Sequence, residues 1–103
     1  MIRQYAEIPL IVAMKEEGSL SKVETLATVA YLEEEADRDF DLERVSLIIY
    51  ETQQECLDAV SKGTADAVLC DGYLSEYLMG TELSYSDMEV KGVFAILDHM
   101  ESC

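Results

Sequence analysis

Residues 45–80 read VSLIIYETQQECLDAVSKGTADAVLCDGYLSEYLMG, and no other stretch of the chain constrains its fold as tightly. Two short apolar runs each pass directly into a segment with helical punctuation. VSLIIYE, 45–51, is nearly all apolar, as befits a strand covered on both faces. In TQQECLDAVSKG, 52–63, Thr52 is placed to cap a helix and Glu55 to complete a capping box. Gly63 is placed to end that helix, and Cys56, Leu57, Ala59 and Val60 form its buried stripe. ADAVLCD, 65–71, is a further strand, and GYLSEYLMG, 72–80, a short helix closed by Gly80. Leu74, Tyr77 and Leu78, at i, i+3 and i+4, are expected to face the core.

The same alternation extends to both ends. EIPLIVAM, 7–14, is a first strand, with Pro9 near its start where a missing N–H is tolerated. A loop follows, in which Ser21 and Glu24 have capping-box spacing, and then TLATVAY, 25–31, as the second strand. LEEEADRDFDLER, 32–44, is expected to be a helix with its acids in the first turn and Leu32, Ala36, Phe40 and Leu42 on its apolar side. MEVKGVFAI, 88–96, is the last strand, and LDHMESC a tail. The order β-β-α-β-α-β-α-β predicts a single α/β domain with a mainly parallel sheet.

Composition narrows the function classes. The 103 residues suffice for one domain. The net charge of −15, from 22 acids against 7 bases, opposes binding to nucleic acid or to an anionic lipid surface. No apolar run reaches the roughly 20 residues of a membrane span, and the chain shows no secretory signal. Cys56, Cys70 and Cys103 lack disulfide-framework or zinc spacing, so the first two read as buried small residues and the last as exposed. No metal or cofactor is expected. Without a nucleophile–base pair or a glycine-rich phosphate loop, and with His99 alone in the tail, an enzyme is not expected either.

In open α/β sheets, ligands sit outside the carboxyl ends of the strands. Three junctions fall there: Tyr31-Leu32-Glu33, Glu51-Thr52-Gln53 and Asp71-Gly72-Tyr73. Each begins a helix, whose free N–H groups can hold an anion, and Asp71 adds a carboxylate for an ammonium group. Asp71 serves equally well as a plain helix cap. The candidate ligand residues are therefore Asp71, Gly72, Tyr73, Tyr31, Leu32, Glu33 and Thr52.

The run YETQQECLDAVSKGTADAVLCDGYLSEYLM, 50–79, resembles the second lobe of the family 3 bacterial solute-binding proteins. That lobe carries a strand, an E-x-x-x-A-L-x-x-G-type helix, a D-A-V-x-x-D strand and a short helix with x-Y-L. EIPLIVAMKEEGSLSKVETLATVAYLEEEA and MEVKGVF extend the likeness to about residues 5–96. It is most similar to the versions found as extracytoplasmic sensor modules of bacterial signalling proteins. The resemblance implies a type II periplasmic-binding-protein-like lobe spanning 1–103. Its three α/β/α layers would enclose about five strands, four parallel and the first antiparallel. Residues 1–6 and 95–103 would be remnants of a hinge.

It further implies binding of a small polar solute such as an amino acid, for transport or signal transduction by lobe closure. Asp71 would hold the amino group. The helix start that usually offers Gly, Ser or Thr to a ligand carboxylate reads Tyr31-Leu32-Glu33 here, a departure from the pattern. The implied partners are the solute and a first lobe of the same domain, with a dimer expected of the isolated lobe. The implied location is extracytoplasmic, within a larger membrane-anchored protein, any membrane contact being made through that parent. The alternative reading is a receiver-like phosphoacceptor domain with Asp71 as acceptor. MKEEG after the first strand and Lys91 inside the last one fit that pattern poorly.

Overall fold

The structure, a computed structural model, describes residues 4–101, with side chains described for residues 8–94. Five strands form one sheet: β1 (Gln4–Lys15), β2 (Thr25–Val29), β3 (Ser46–Tyr50), β4 (Ala67–Asp71) and β5 (Met88–Glu101), in the order β3-β2-β4-β1-β5. β2 runs parallel to β3 and β4, whereas β1 is antiparallel to both of its neighbours, β4 and β5. Four strands therefore share one direction and β1 opposes them, as expected.

Three α-helices connect the parallel strands: α1 (Glu33–Asp39), α2 (Gln53–Lys62) and α3 (Gly72–Thr81). The β2–β3 crossover steps outward and the β3–β4 crossover steps back. Right-handed connections thus put α1 on one face and α2 on the other. α3 packs beside α2 against β1 and β4. The sheet centre is fully buried, with Val12, Ala13, Leu26, Ala27, Val68 and Leu69 inaccessible. Buried Thr28 donates its hydroxyl to the Leu69 carbonyl at 2.8 Å, which ties β2 to β4 and satisfies the polar group.

The capping chemistry of α2 is as written in the sequence. Thr52 Oγ1 accepts from Glu55 N–H at 3.1 Å, and Gly63 ends the helix at φ 84°, the left-handed region that favours glycine. Cys56 and Cys70 are buried, and desolvation pushes both thiols up to about 12, which leaves them protonated and inert.

Several expectations need correction. β2 stops at Val29, and a 3-10 turn over Ala30–Leu32 precedes α1, which ends at Asp39 instead of reaching 44. Phe40 turns extended (φ −127°, ψ 149°) and stacks on Phe94, ring centroids 5.1 Å apart, a contact that replaces a further helical turn. Asp41 then accepts from Glu43 N–H, and its carbonyl from Arg44 and Val45, which makes a turn. β3 is an edge strand with exposed Ile49, not a strand covered on both faces, because β4 returns on the far side of β2. Ser21 bonds Ser19 and caps nothing, while the Glu24 N–H goes to Asp66.

Leu74 and Tyr77 are 39% and 66% exposed, so of that trio Leu78 alone faces the core. The cause lies at Gly72, where a Cβ would stand 3.0 Å from Pro9 Cγ and from the Pro9 carbonyl oxygen. This close approach turns Gly72, Ser75 and Leu78 inward and the larger side chains outward. At the chain ends, β1 and β5 pair from Gln4↔Glu101 onward, so the last strand continues five residues beyond the expected 96. Met1–Arg3, Ser102 and Cys103 lie outside the described residues, as does the His99 side chain.

Candidate functional site

β2, β3 and β4 all end at one edge of the sheet, at Val29, Tyr50 and Asp71. β1 meets this edge at Leu10, the partner of Asp71, and its residues before Leu10 pair only with β5. A two-stranded ribbon therefore leaves the body of the sheet beside the carboxyl edge.

Three of the junction segments are wired together there. The Asp71 N–H donates to Gln53 Oε1 at 2.6 Å, and Gln53 Nε2 donates to the Tyr31 hydroxyl at 2.9 Å. Asp71 Oδ1 accepts from Tyr73 N–H at 2.8 Å and from Leu74 N–H at 3.3 Å, so Asp71 is the N-cap of α3. Its Oδ2 accepts nothing among the described residues. One oxygen of the carboxylate builds the helix start and the other has no protein partner among the described residues. The Tyr31 phenol is raised above its ordinary pKa, first by partial desolvation and then by the Asp71 charge, which places the two groups within electrostatic reach.

The seven predicted residues divide. Tyr31 and Asp71 belong to the wired group, and Tyr73 adjoins it through its N–H with an exposed ring. Gly72 lies at the same edge, but its space is taken up by Pro9 and Ile11. Thr52 stands next to Gln53, with its hydroxyl engaged by Glu55. The Leu32 side chain is 0% exposed and belongs to the core, so only its backbone is offered to the edge. The Glu33 side chain lines a hollow with Glu34, Asp37, Ala30 and Leu42, to which none of the wired side chains contributes.

Gln53 is the residue that sequence reasoning missed. It follows a cap at a strand end, a signal that exists in the sequence. Its target, the start of α3, depends on β4 lying next to β2, which the sequence alone leaves unstated. Among the described residues, the edge carries Glu33, Glu34, Glu51 and Asp71 and no Lys or Arg. No group of three His, Cys, Asp or Glu side chains is placed to hold a metal ion among the described residues. A separate concavity of about 280 Å³, lined by Met14, Lys22, Val60 and Asp66 among others, lies at the opposite edge.

No protein-family model matches the sequence, and no curated protein matches it. Solved structures do match in fold. The Bordetella pertussis BvgS periplasmic VFT2 domain superposes with a TM-score of 0.71 at 11% identity, covering 95% of this chain and 47% of that one. The arginine-bound form of truncated ArgBP from T. maritima gives 0.73 at 12% identity, covering 92% and 47%. The GluR0 ligand-binding core from Nostoc punctiforme, in complex with (L)-glutamate, gives 0.72 at 15% identity, covering 91% and 45%. The chain thus spans less than half the length of each. Its fold is the type II periplasmic-binding-protein-like α/β fold, in agreement with the resemblance read from the sequence.

Proposed function

We propose that this chain is the second lobe of a two-lobe solute-binding domain. It takes a small polar solute bearing an ammonium group, amino acids being the reference class, at its carboxyl edge. Asp71 and Tyr31 are this lobe's contacts, with Tyr73 and the backbone at Gly72, Leu32, Glu33 and Thr52 lining the approach. A first lobe supplies the remaining contacts, and a solute touching both favours the closed arrangement. Such a domain acts in bacterial transport or in signal transduction, and its place is extracytoplasmic, within a larger membrane-anchored protein.

The observation that carries this reading is the Tyr31–Gln53–Asp71 network, which joins three strand ends at the sheet edge where such folds bind ligands. The periplasmic and ligand-bound character of the fold neighbours supports it. The receiver-like alternative is not favoured. Its doubly wound sheet is parallel throughout, in a 2-1-3-4-5 order, whereas here an antiparallel β1 stands between β4 and β5.

A thermal-shift screen of amino acids, polyamines and small carboxylates tests the proposal, with Asp71→Asn as the control. Asn keeps the cap and removes the charge. An amine-bearing solute is expected to raise the melting temperature of the wild type and not of the variant. No shift with any of these solutes, in a folded protein, would sink the reading.

A further inference from the structure

The hydrogen bonds at the edge fix which atoms remain for the solute. A glutamine amide is ambiguous between its oxygen and nitrogen, but here the Asp71 N–H must meet an acceptor. Oε1 therefore faces Asp71, and the donor Nε2 faces the Tyr31 hydroxyl. The phenol oxygen is thereby an acceptor for Gln53, and its own O–H has no acceptor among the described residues. What the edge presents is one committed donor, the Tyr31 O–H, and one committed acceptor, Asp71 Oδ2, on two residues joined through the Gln53 amide. The field around them is uniformly acidic, from Glu33, Glu34, Glu51 and Asp71, with no base at this edge among the described residues.

We infer that Gln53 is a positioning residue and Tyr31 a specificity-determining donor, and that together they select an amine whose neighbouring hydrogen-bond acceptor is neutral, such as a carboxamide or hydroxyl oxygen, over one carrying a free carboxylate. The ammonium donates to Asp71, and the neutral oxygen accepts from Tyr31. A carboxylate would meet the same donor but would also meet the acids, with no Lys or Arg at this edge among the described residues to offset them. This rests on the solute-binding reading and narrows it.

The test titrates the isotope-labelled chain with a matched pair, L-alaninamide and L-alanine, at neutral pH and low salt. The amide resonances near Tyr31, Gln53 and Asp71 are followed in the wild type, Tyr31→Phe and Gln53→Glu. L-alaninamide is expected to bind more tightly, by at least about threefold. Tyr31→Phe, which leaves an exposed ring in place, is expected to weaken the carboxamide about fivefold and the amino acid much less. In Gln53→Glu the new carboxylate accepts a hydrogen bond from the Tyr31 O–H, which is then no longer free for the solute, so the preference is lost. Carbon-labelled tyrosine should then show the Tyr31 phenol titrating higher still, a change that a merely structural role for Gln53 would not produce.

L-alanine binding as tightly as L-alaninamide, or Tyr31→Phe leaving the carboxamide unaffected, would overturn this inference and leave the solute-binding reading standing. If neither compound perturbs this edge, the inference falls. The thermal-shift screen then decides whether the wider reading falls with it.

Discussion

Two aspartates bracket β4, and each receives two backbone N–H groups on a single carboxylate oxygen. Asp66, just before the strand, takes Glu24 N–H at 2.9 Å and Thr25 N–H at 3.1 Å, both some forty residues away in sequence. Asp71, at the strand's end, takes Tyr73 and Leu74, its own near neighbours. The bond counts match and the consequences differ. Asp66 fastens the start of β2 to the start of β4, so its bonds stand against the entropy of a long loop. Asp71 only starts a helix and keeps its second oxygen unspent. The amino edge around Asp66 also gathers Lys15, Lys22, Arg44, Lys62 and Lys91 among its acids, and the Lys91 ammonium reaches the Glu16 carbonyl at 2.7 Å. Among the described residues, the carboxyl edge has acids and no Lys or Arg. One end of the sheet holds the chain together, and the other keeps polar groups without a protein partner among the described residues.

The sharpest way to break this contrast is to remove both carboxylates separately. Asp66→Ala is expected to lower unfolding stability by about 2–3 kcal/mol in urea denaturation, because two strand-tying bonds vanish. Gly72→Ala probes the close approach at the other end. A methyl group 3.0 Å from Pro9 would push α3 off β1 at a cost of about 2 kcal/mol. It should also move the Tyr73 and Leu74 resonances while leaving those of Glu24 and Thr25 in place. Asp71→Ala should lose only about 1 kcal/mol, the usual worth of a helix cap. A loss at Asp71 equal to that at Asp66 would erase the distinction between the two ends.

The smallest expected effect is in pH dependence. The Tyr31 phenol is raised above 10.0, so the folded protein holds its proton where the unfolded chain releases it. Its contribution is fully present below pH 10 and is lost as pH rises through the folded value. Tyr31→Phe should therefore flatten the alkaline end of the stability profile and leave the neutral range unchanged. A profile identical in the two proteins would contradict a raised Tyr31 phenol.

Much of this was legible in the sequence where the signal is local. Thr52 and Gly63 bound α2 because a cap and a left-handed terminus need only neighbouring residues. Asp71 at a strand end was visible for the same reason. What stayed hidden depends on residues far apart in the chain. The outward turn of Leu74 and Tyr77 follows from Gly72 pressing on Pro9, sixty-three positions earlier in the chain. The early end of α1 follows from Phe40 finding Phe94. Gln53 joined the candidate site only once α2 was seen to start beside the end of β4, and Leu32 was narrowed to its backbone once its side chain was seen to be buried.

The most direct test is a map of solute-induced amide shifts in the wild type, Asp66→Asn and Asp71→Asn, using the amine-bearing solute that gives the largest thermal shift. The account predicts shifts clustered at Tyr31, Gln53 and Asp71–Leu74 in the wild type and in Asp66→Asn, and their loss in Asp71→Asn. Shifts clustered instead around Met14, Lys22 and Asp66, or surviving intact in Asp71→Asn, would contradict it.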